Sequence, residues 1–189
     1  MDLKQNYFQL FSIPVSFDID LAELKSAYLE LQRNLHPDRF AHSTANDKLL
    51  SMQMSSHVNE AMDVLLSPVR RAAYLLELLG HSVDFEVNIA MEPEFLMEQM
   101  ELRELLEAVK TAPDPEACLN QFMARIDQQS EKLFTEFNEI YNGCLQTQAK
   151  KRADQSTLLE QAEMCVRKMQ FMNKLQLEAG RVEEELLDY

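Results

Sequence analysis

Apolar residues recur at helical spacing along most of the 189-residue chain. In the first half they follow one another at intervals of three and four in two long stretches, which places each set on one face of a helix. The two sets are Leu21, Leu24, Tyr28, Leu31 and Leu35, and then Leu50, Met54, Val58, Ala61 and Leu65. Shorter helical patterns, "NYFQLFSIP" and "SPVRRAAYLLELLG", flank them. We therefore predict four helices in residues 1–80, with the two longer ones paired antiparallel.

Capping residues mark where these helices begin and end. Asp20 is a good N-cap for the first long helix. Pro37 must end that helix by about His36, because proline disfavours the helical conformation before it and has no N–H to donate. Ser67 suits the N-cap of the last helix, and Gly80 suits its C-terminal cap.

The second half shows three longer helical patterns after a break. Residues 81–92, within "HSVDFEVNIAMEP", have no helical period and read as a linker. The first helix is expected over about 93–111, the second opens at Asp114-Pro115, and the third covers about 154–187. The connections are short, which favours an antiparallel three-helix bundle. The fold class is therefore all-α, with domain limits predicted at 1–80, 81–92 and 93–189.

The first helix of the bundle carries two apolar faces. On a wheel of about 100° per residue, Phe95, Leu102, Leu106 and Val109 form the core stripe. Leu96, Met97 and Met100 lie about 100° to 200° away from Phe95 on the same wheel, among the charged residues Arg103, Glu104 and Glu107. Phe171 on the third helix also lies off the core stripe of Ala162, Cys165, Met169 and Met172. These residues either pack on another part of the chain or form an exposed protein-binding patch.

The net negative charge of the chain disfavours some classes of binding partner. The net charge is −14, of which −3 falls in residues 1–80 and −11 in 81–189. Such acidity disfavours nucleic acid and anionic membranes as partners. We therefore expect neither nucleic acid nor membrane as a partner.

Cysteine usage and hydropathy favour a cytoplasmic protein. Cys118, Cys144 and Cys165 are widely spaced, are odd in number and follow no secretory signal, so we expect free thiols in a reducing compartment. Cys144 and Cys165 fall on core stripes, where a thiol behaves as a small apolar residue. No apolar run approaches the ~18 residues of a membrane span.

The turn between the long helices contains His36-Pro37-Asp38. It could simply be a turn, since turn residues usually serve the turn. A metal site built with His42 and His57 matches no standard ligand spacing. A hydrolytic site would need a nucleophile with its base, and no nucleophile elbow or Gly-rich loop is present.

The first half as a whole resembles the J-domain. The matching parts are the Tyr-Phe-x-Leu-Phe helix, the Leu-x-x-Ala-Tyr-x-x-Leu helix, His-Pro-Asp, and the segment "VNEAMDVLLSPVRRAAYL". In the second half, "FLMEQMELRE", "VRKMQF" and "EEELLDY" are similar to the HscB family, the J-type co-chaperones of bacterial iron–sulfur cluster assembly.

The resemblance implies two partners and no enzymatic activity of the chain itself. J-domains stimulate ATP hydrolysis by a chaperone, here an HscA-like ATPase. The implied contact residues are His36, Pro37, Asp38, Arg33, Arg39 and Lys25. The bundle is implied to bind an IscU-like iron–sulfur scaffold protein through Leu96, Met97, Met100, Glu101, Arg103, Glu104 and Phe171.

The chain departs from many J-domains in carrying few basic residues before the triplet. Only Lys25 and Arg33 precede it on the helix, and Arg39 follows, so we expect a weak electrostatic contact with a dedicated ATPase. Eukaryotic relatives carry an N-terminal cysteine-rich extension, whereas this sequence has no cysteine before Cys118, so we expect no metal and no cofactor. The alternatives are a J-domain co-chaperone for another client, and a helical adaptor in which His-Pro-Asp is only a turn.

Overall fold

A computed structural model describes residues 5–36, 44–87, 91–149 and 155–187. By their internal contacts the residues divide into two compact units, Met1–Leu79 and Gly80–Tyr189. Seven helices and no strands occur in the described ranges. The predicted limits 1–80, 81–92 and 93–189 stay a prediction; the division by contacts falls between Leu79 and Gly80.

The N-terminal unit holds four helices. They are α1 (Tyr7–Leu10), α2 (Leu21–Leu35), α3 (Ala45–Leu66) and α4 (Pro68–Leu78). The predicted N-caps are confirmed: the Asp20 carboxylate accepts from the amides of Ala22 and Glu23, and the Ser67 hydroxyl accepts from the amide of Arg70. Gly80 adopts a φ of +84°, a left-handed conformation that favours glycine after a helix.

The long helices α2 and α3 run antiparallel, as predicted. The Ser51 hydroxyl, near the start of α3, donates to the Leu35 carbonyl at the end of α2. Farther along, the Tyr28 hydroxyl donates to Asn59 Oδ1. Of the predicted α2 stripe only Leu24 is fully buried, whereas the α3 stripe is buried from Met54 onward.

The C-terminal unit is built on α5 (Pro93–Val109), α6 (Pro115–Ala149) and α7 (Gln155–Leu187). The side chain of Glu92 binds Lys168 and that of Lys110 binds Glu185, so α5 runs parallel to the later part of α7. At 1.5 Å per residue α6 and α7 are each about 50 Å long and α5 about 25 Å. Helix α5 therefore covers only part of the α6–α7 hairpin.

The predicted core stripes of the bundle are largely confirmed. Every residue predicted for the α5 stripe is buried. On α6 the spacing predicts a stripe of apolar residues, all of which are buried except Ile140: Leu119, Phe122, Ile126, Leu133, Phe137, Ile140 and Cys144. Ile140 is partly exposed, and Tyr141 beside it is buried instead. Cys144 and Cys165 are buried, and Cys118 is exposed.

Residues 81–87, which we call the strap, were expected to be a linker but are hydrogen-bonded to α7. His81 Nε2 lies 2.6 Å from Glu163 Oε2. Arg167 donates from Nη2 to the Asp84 carbonyl at 2.7 Å and from Nη1 to the Val87 carbonyl at 2.9 Å. The strap is thus part of the C-terminal unit.

No helix in the described part of the chain is long and apolar enough to cross a membrane. Nor do the described residues include a group of three or more His, Cys, Asp or Glu side chains placed to hold a metal ion.

Candidate partner-binding surfaces

The first candidate surface is at the end of α2. Lys25 and Arg33 are exposed on this helix, and His36 is its exposed C-cap residue. Pro37, Asp38 and Arg39 lie outside the described residues. The structure therefore shows that the predicted triplet begins at the C-terminal end of α2.

Side-chain hydrogen bonds that the sequence stripes did not predict hold this end of the pair. Gln32 Nε2 donates to Asn59 Oδ1, which also accepts from Tyr28, and Ser51 satisfies the last α2 carbonyl. Carbonyls at a helix C-terminus have no partner within the helix, so the Ser51 bond helps to define where α2 ends and the turn begins. These contacts could have been predicted from the polar residues that accompany the apolar stripes of α2 and α3.

The second candidate surface is the outer face of α5. Leu96 is 46% exposed, and Met97 and Met100 are each 64% exposed. Glu101, Arg103 and Glu104 are also exposed around them. Within the C-terminal unit these apolar side chains are not part of the core, so the predicted second apolar face exists and faces solvent. Leu105, 44% exposed, extends it and was not predicted.

Phe171 does not belong to that exposed face, and the prediction that it does is wrong. Only 8% of Phe171 is exposed. Its ring packs edge-on against Phe95 with centroids 5.7 Å apart, and the Arg103 guanidinium covers it at 5.8 Å.

The reason is that α7 has two neighbours. The stripe of Ala162, Cys165 and Met169 is buried by one, but Phe171, Leu175 and Val182 fall within about 40° of one another on a second buried stripe. The spacing predicted a single core stripe for α7, whereas α7 packs against α6 on one side and against Phe95 of α5 on the other.

Alternating cationic and aromatic groups join α5 to α7 beneath the exposed face. Lys168 Nζ lies 5.5 Å from the Phe95 ring centroid and donates to Glu92 at 2.8 Å. That hydrogen bond lowers the pKa of Glu92. Cation–aromatic contacts of this kind are attractive. They therefore help to hold α5, which carries the exposed apolar face, against α7.

Comparisons with known proteins agree with this two-part architecture. Residues 91–180 match the family described as HSCB C-terminal oligomerisation domain. The chain is 39% identical over 183 residues to a co-chaperone protein HscB homolog of Shewanella baltica, covering 97% of this chain and 99% of the relative.

Two solved structures are also similar. Chaperone HscB from Vibrio cholerae superimposes with a TM-score of 0.79 at 36% identity, over 96% of this chain and 99% of that one. Human co-chaperone protein HscB gives 0.81 at 25% identity, over 97% and 84%.

These similarities define a co-chaperone with an N-terminal J-domain and a C-terminal helical bundle. The predicted all-α fold class is thereby confirmed. At 39% identity over nearly its whole length, the chain belongs to the HscB family.

Proposed function

We propose that this chain stimulates the ATPase of an HscA-type chaperone and delivers to it an IscU-like scaffold protein carrying a nascent iron–sulfur cluster. The cluster is cargo, and we infer that the chain acts in the cytoplasm without performing hydrolysis itself. The observation that carries the proposal is the exposed apolar face of α5 in an HscB-family chain, with Leu96, Met97 and Met100 ringed by charge. Apolar patches of this kind mark protein-binding sites.

The J-domain acts by binding one conformational state of the ATPase better than another. A ligand shifts a conformational equilibrium only by its difference in affinity for the two states. In the proposed complex, Asp38 accepts paired hydrogen bonds from an arginine of the chaperone, and Pro37 fixes the backbone beside it. Lys25, Arg33 and Arg39 add few positive charges, which favours one dedicated partner.

The first test replaces the triplet carboxylate. Asp38→Ala is expected to abolish ATPase stimulation in a coupled assay while the melting temperature stays near that of the wild type. The matched control is Asp63→Ala, an exposed carboxylate on α3, which should stimulate normally. A folded Asp38→Ala protein with full activity would remove the proposed mechanism, whereas a wild-type protein that gives no stimulation would favour the adaptor alternative.

The second test truncates the exposed face. Leu96→Ala, Met97→Ala and Met100→Ala together should weaken scaffold binding sharply and cost the free protein little. Buried Leu or Met side chains would instead cost about 2–5 kcal/mol each on truncation. Titration calorimetry and thermal melting measure the two effects. Phe171→Ala is left out of this set, because its burial makes a loss of stability the expected result.

The matched control for the second test is Leu177→Ala, which removes a 61% exposed apolar residue of α7. It should leave scaffold binding unchanged. A pull-down that returns another client in place of the scaffold would favour a J-domain co-chaperone of different specificity.

A further inference from the structure

A groove with two oppositely charged walls lies beside the exposed face of α5. It has a volume of about 560 Å³ and runs between α5 and α6. Phe95, Leu133 and Met172, which are largely buried, form its apolar base. Met97 and Glu101, both in the proposed scaffold site, stand at its edge, so the groove continues the α5 face.

The two walls of the groove carry charges of opposite sign, with acidic residues on the α5 side and basic residues on α6. The charged residues of the wall on the α5 side are acidic, and they are Glu92, Glu94, Glu98 and Glu101. Lys168 of α7 also lines the groove, where it is bonded to Glu92. Helix α6 has two basic residues, Arg125 and Lys132, and both line the groove. Its acidic residues, which are Glu116, Asp127, Glu131, Glu136 and Glu139, do not.

The positive charges on the α6 wall are only weakly neutralised from within the chain. Arg125 Nη2 is 4.0 Å from Glu101 Oε2, and both side chains are exposed. Exposed pairs at this separation interact weakly and are screened by salt. Lys132 belongs to none of the ion pairs of the described residues, although Glu131 and Glu136 lie near it on α6 outside the groove. Both cations therefore remain available to a partner.

We propose that this groove is the second half of the scaffold-docking surface. A segment of the scaffold protein crosses Met97 from the α5 face, sets an apolar side chain on the groove base, and places an acidic side chain against Arg125 and Lys132. The opposite edge of the same scaffold segment places a basic residue near the carboxylates of the α5 wall. The inference rests on the proposed function and adds Arg125 and Lys132 as residues that determine specificity.

The acidity of the surrounding protein explains why two cations would matter. The chain carries a net charge of −14, so an acidic side chain of a partner is repelled over most of the surface. A pair of cations over an apolar base is then a local attractive position, and complementary charge fixes register and orientation. The two-sided arrangement also disfavours a segment docked in the reverse orientation, because like charges would then face each other.

The test compares charge reversals at matched positions by calorimetric titration with a purified IscU-like scaffold protein. Lys132→Glu and Arg125→Glu should each raise Kd tenfold or more at low salt, and the difference from wild type should shrink as salt is added. The control is Arg181→Glu, which makes the same charge change at an exposed position of α7 outside the groove. It should change Kd less than threefold. Melting temperatures check that each variant is folded.

Any of four outcomes would overturn the proposal. One is an equal effect of all three reversals, which would reflect net charge alone. Another is unchanged scaffold binding combined with the loss of a self-associated form in light scattering, which would make a second copy of this chain the occupant of the groove. The third is the absence of scaffold binding by the wild-type protein, which overturns the proposed function as well. If only the Leu96/Met97/Met100 variant loses binding, the proposed function stands and the groove does not.

Discussion

Arg71 is a buried cation in the N-terminal unit that contacts a backbone carbonyl and an aromatic ring. Its Nη1 donates to the Leu65 carbonyl at 2.5 Å, and its guanidinium lies 5.1 Å from the Phe17 ring centroid. Burial lowers the pKa of Arg71. The side chain thus ties the segment before α2 to the corner between α3 and α4.

Removing this side chain should destabilise the N-terminal unit. Arg71→Ala leaves the Leu65 carbonyl without its charged donor and opens space beside Phe17, so we expect a loss of about 2 kcal/mol or more in unfolding free energy. Denaturant unfolding followed by circular dichroism measures it. The neighbouring Arg70→Ala serves as control, because Arg70 is exposed and should change stability by less than about 0.5 kcal/mol. Equal losses in the two variants would contradict the role assigned to Arg71.

At the scale of helices, the sequence predicted features that depend on neighbouring residues better than it predicted contacts between distant segments. Asp20 and Ser67 act within three residues of themselves, so their caps could be predicted from the sequence. The Arg167 bonds to the strap join residues 80 or more positions apart. No periodicity or capping rule contains that information, and the strap was therefore predicted as a plain linker.

Glu163 and Arg167 form the centre of the strap attachment. Burial alone would raise the pKa of Glu163, but hydrogen bonds from Arg167 and His81 outweigh it, and the pKa is lowered. A lowered pKa means that the folded protein favours the charged carboxylate. Its contribution to stability is therefore present above the ordinary glutamate range and is lost as the pH falls through the folded-state pKa.

Breaking the attachment should release the strap while leaving the helices formed. In Arg167→Gln the shorter neutral side chain cannot reproduce the bonds to Asp84, Val87 and Glu163. We expect faster amide hydrogen exchange at residues 84–87 and a loss of about 2 kcal/mol in stability of the C-terminal unit. Lys174→Gln, on the same helix and exposed, should alter neither. Unchanged exchange at 84–87 in Arg167→Gln would show that other contacts hold the strap.

At the scale of the whole molecule, the two units differ in charge as well as in structure. The N-terminal unit holds few net charges, while the acidic excess is concentrated in the unit that carries the proposed scaffold surface. Composition alone predicted this asymmetry. It could not predict that the basic residues of α6 collect along one groove, because that depends on how α5 lies on α6. The exposure of Leu96, Met97 and Met100 was one of the two possibilities that the sequence left open, since the core of the bundle buries the other apolar face of α5.

The division at Leu79–Gly80 predicts where the chain can be cut. The fragment Met1–Leu79 should be soluble, helical and weakly able to stimulate the ATPase, because its core is complete within itself. The fragment Gly80–Tyr189 should melt cooperatively and at a higher temperature than a fragment 93–189, which lacks the strap. Thermal melting by circular dichroism compares them. An aggregated Met1–Leu79 fragment, or equal melting of the two longer fragments, would contradict the division at this point.

The unequal burial of the cysteines makes the protein convenient for spectroscopy. Burial raises the pKa of Cys165 to about 12 and also raises that of Cys144, so neither thiol supplies much thiolate at neutral pH. Cys118 is exposed in the first turn of α6. A maleimide dye or nitroxide would therefore attach at one defined position in the native sequence, about 10 Å along the helix from Arg125. A probe at that distance would report occupation of the groove without any substitution in the chain.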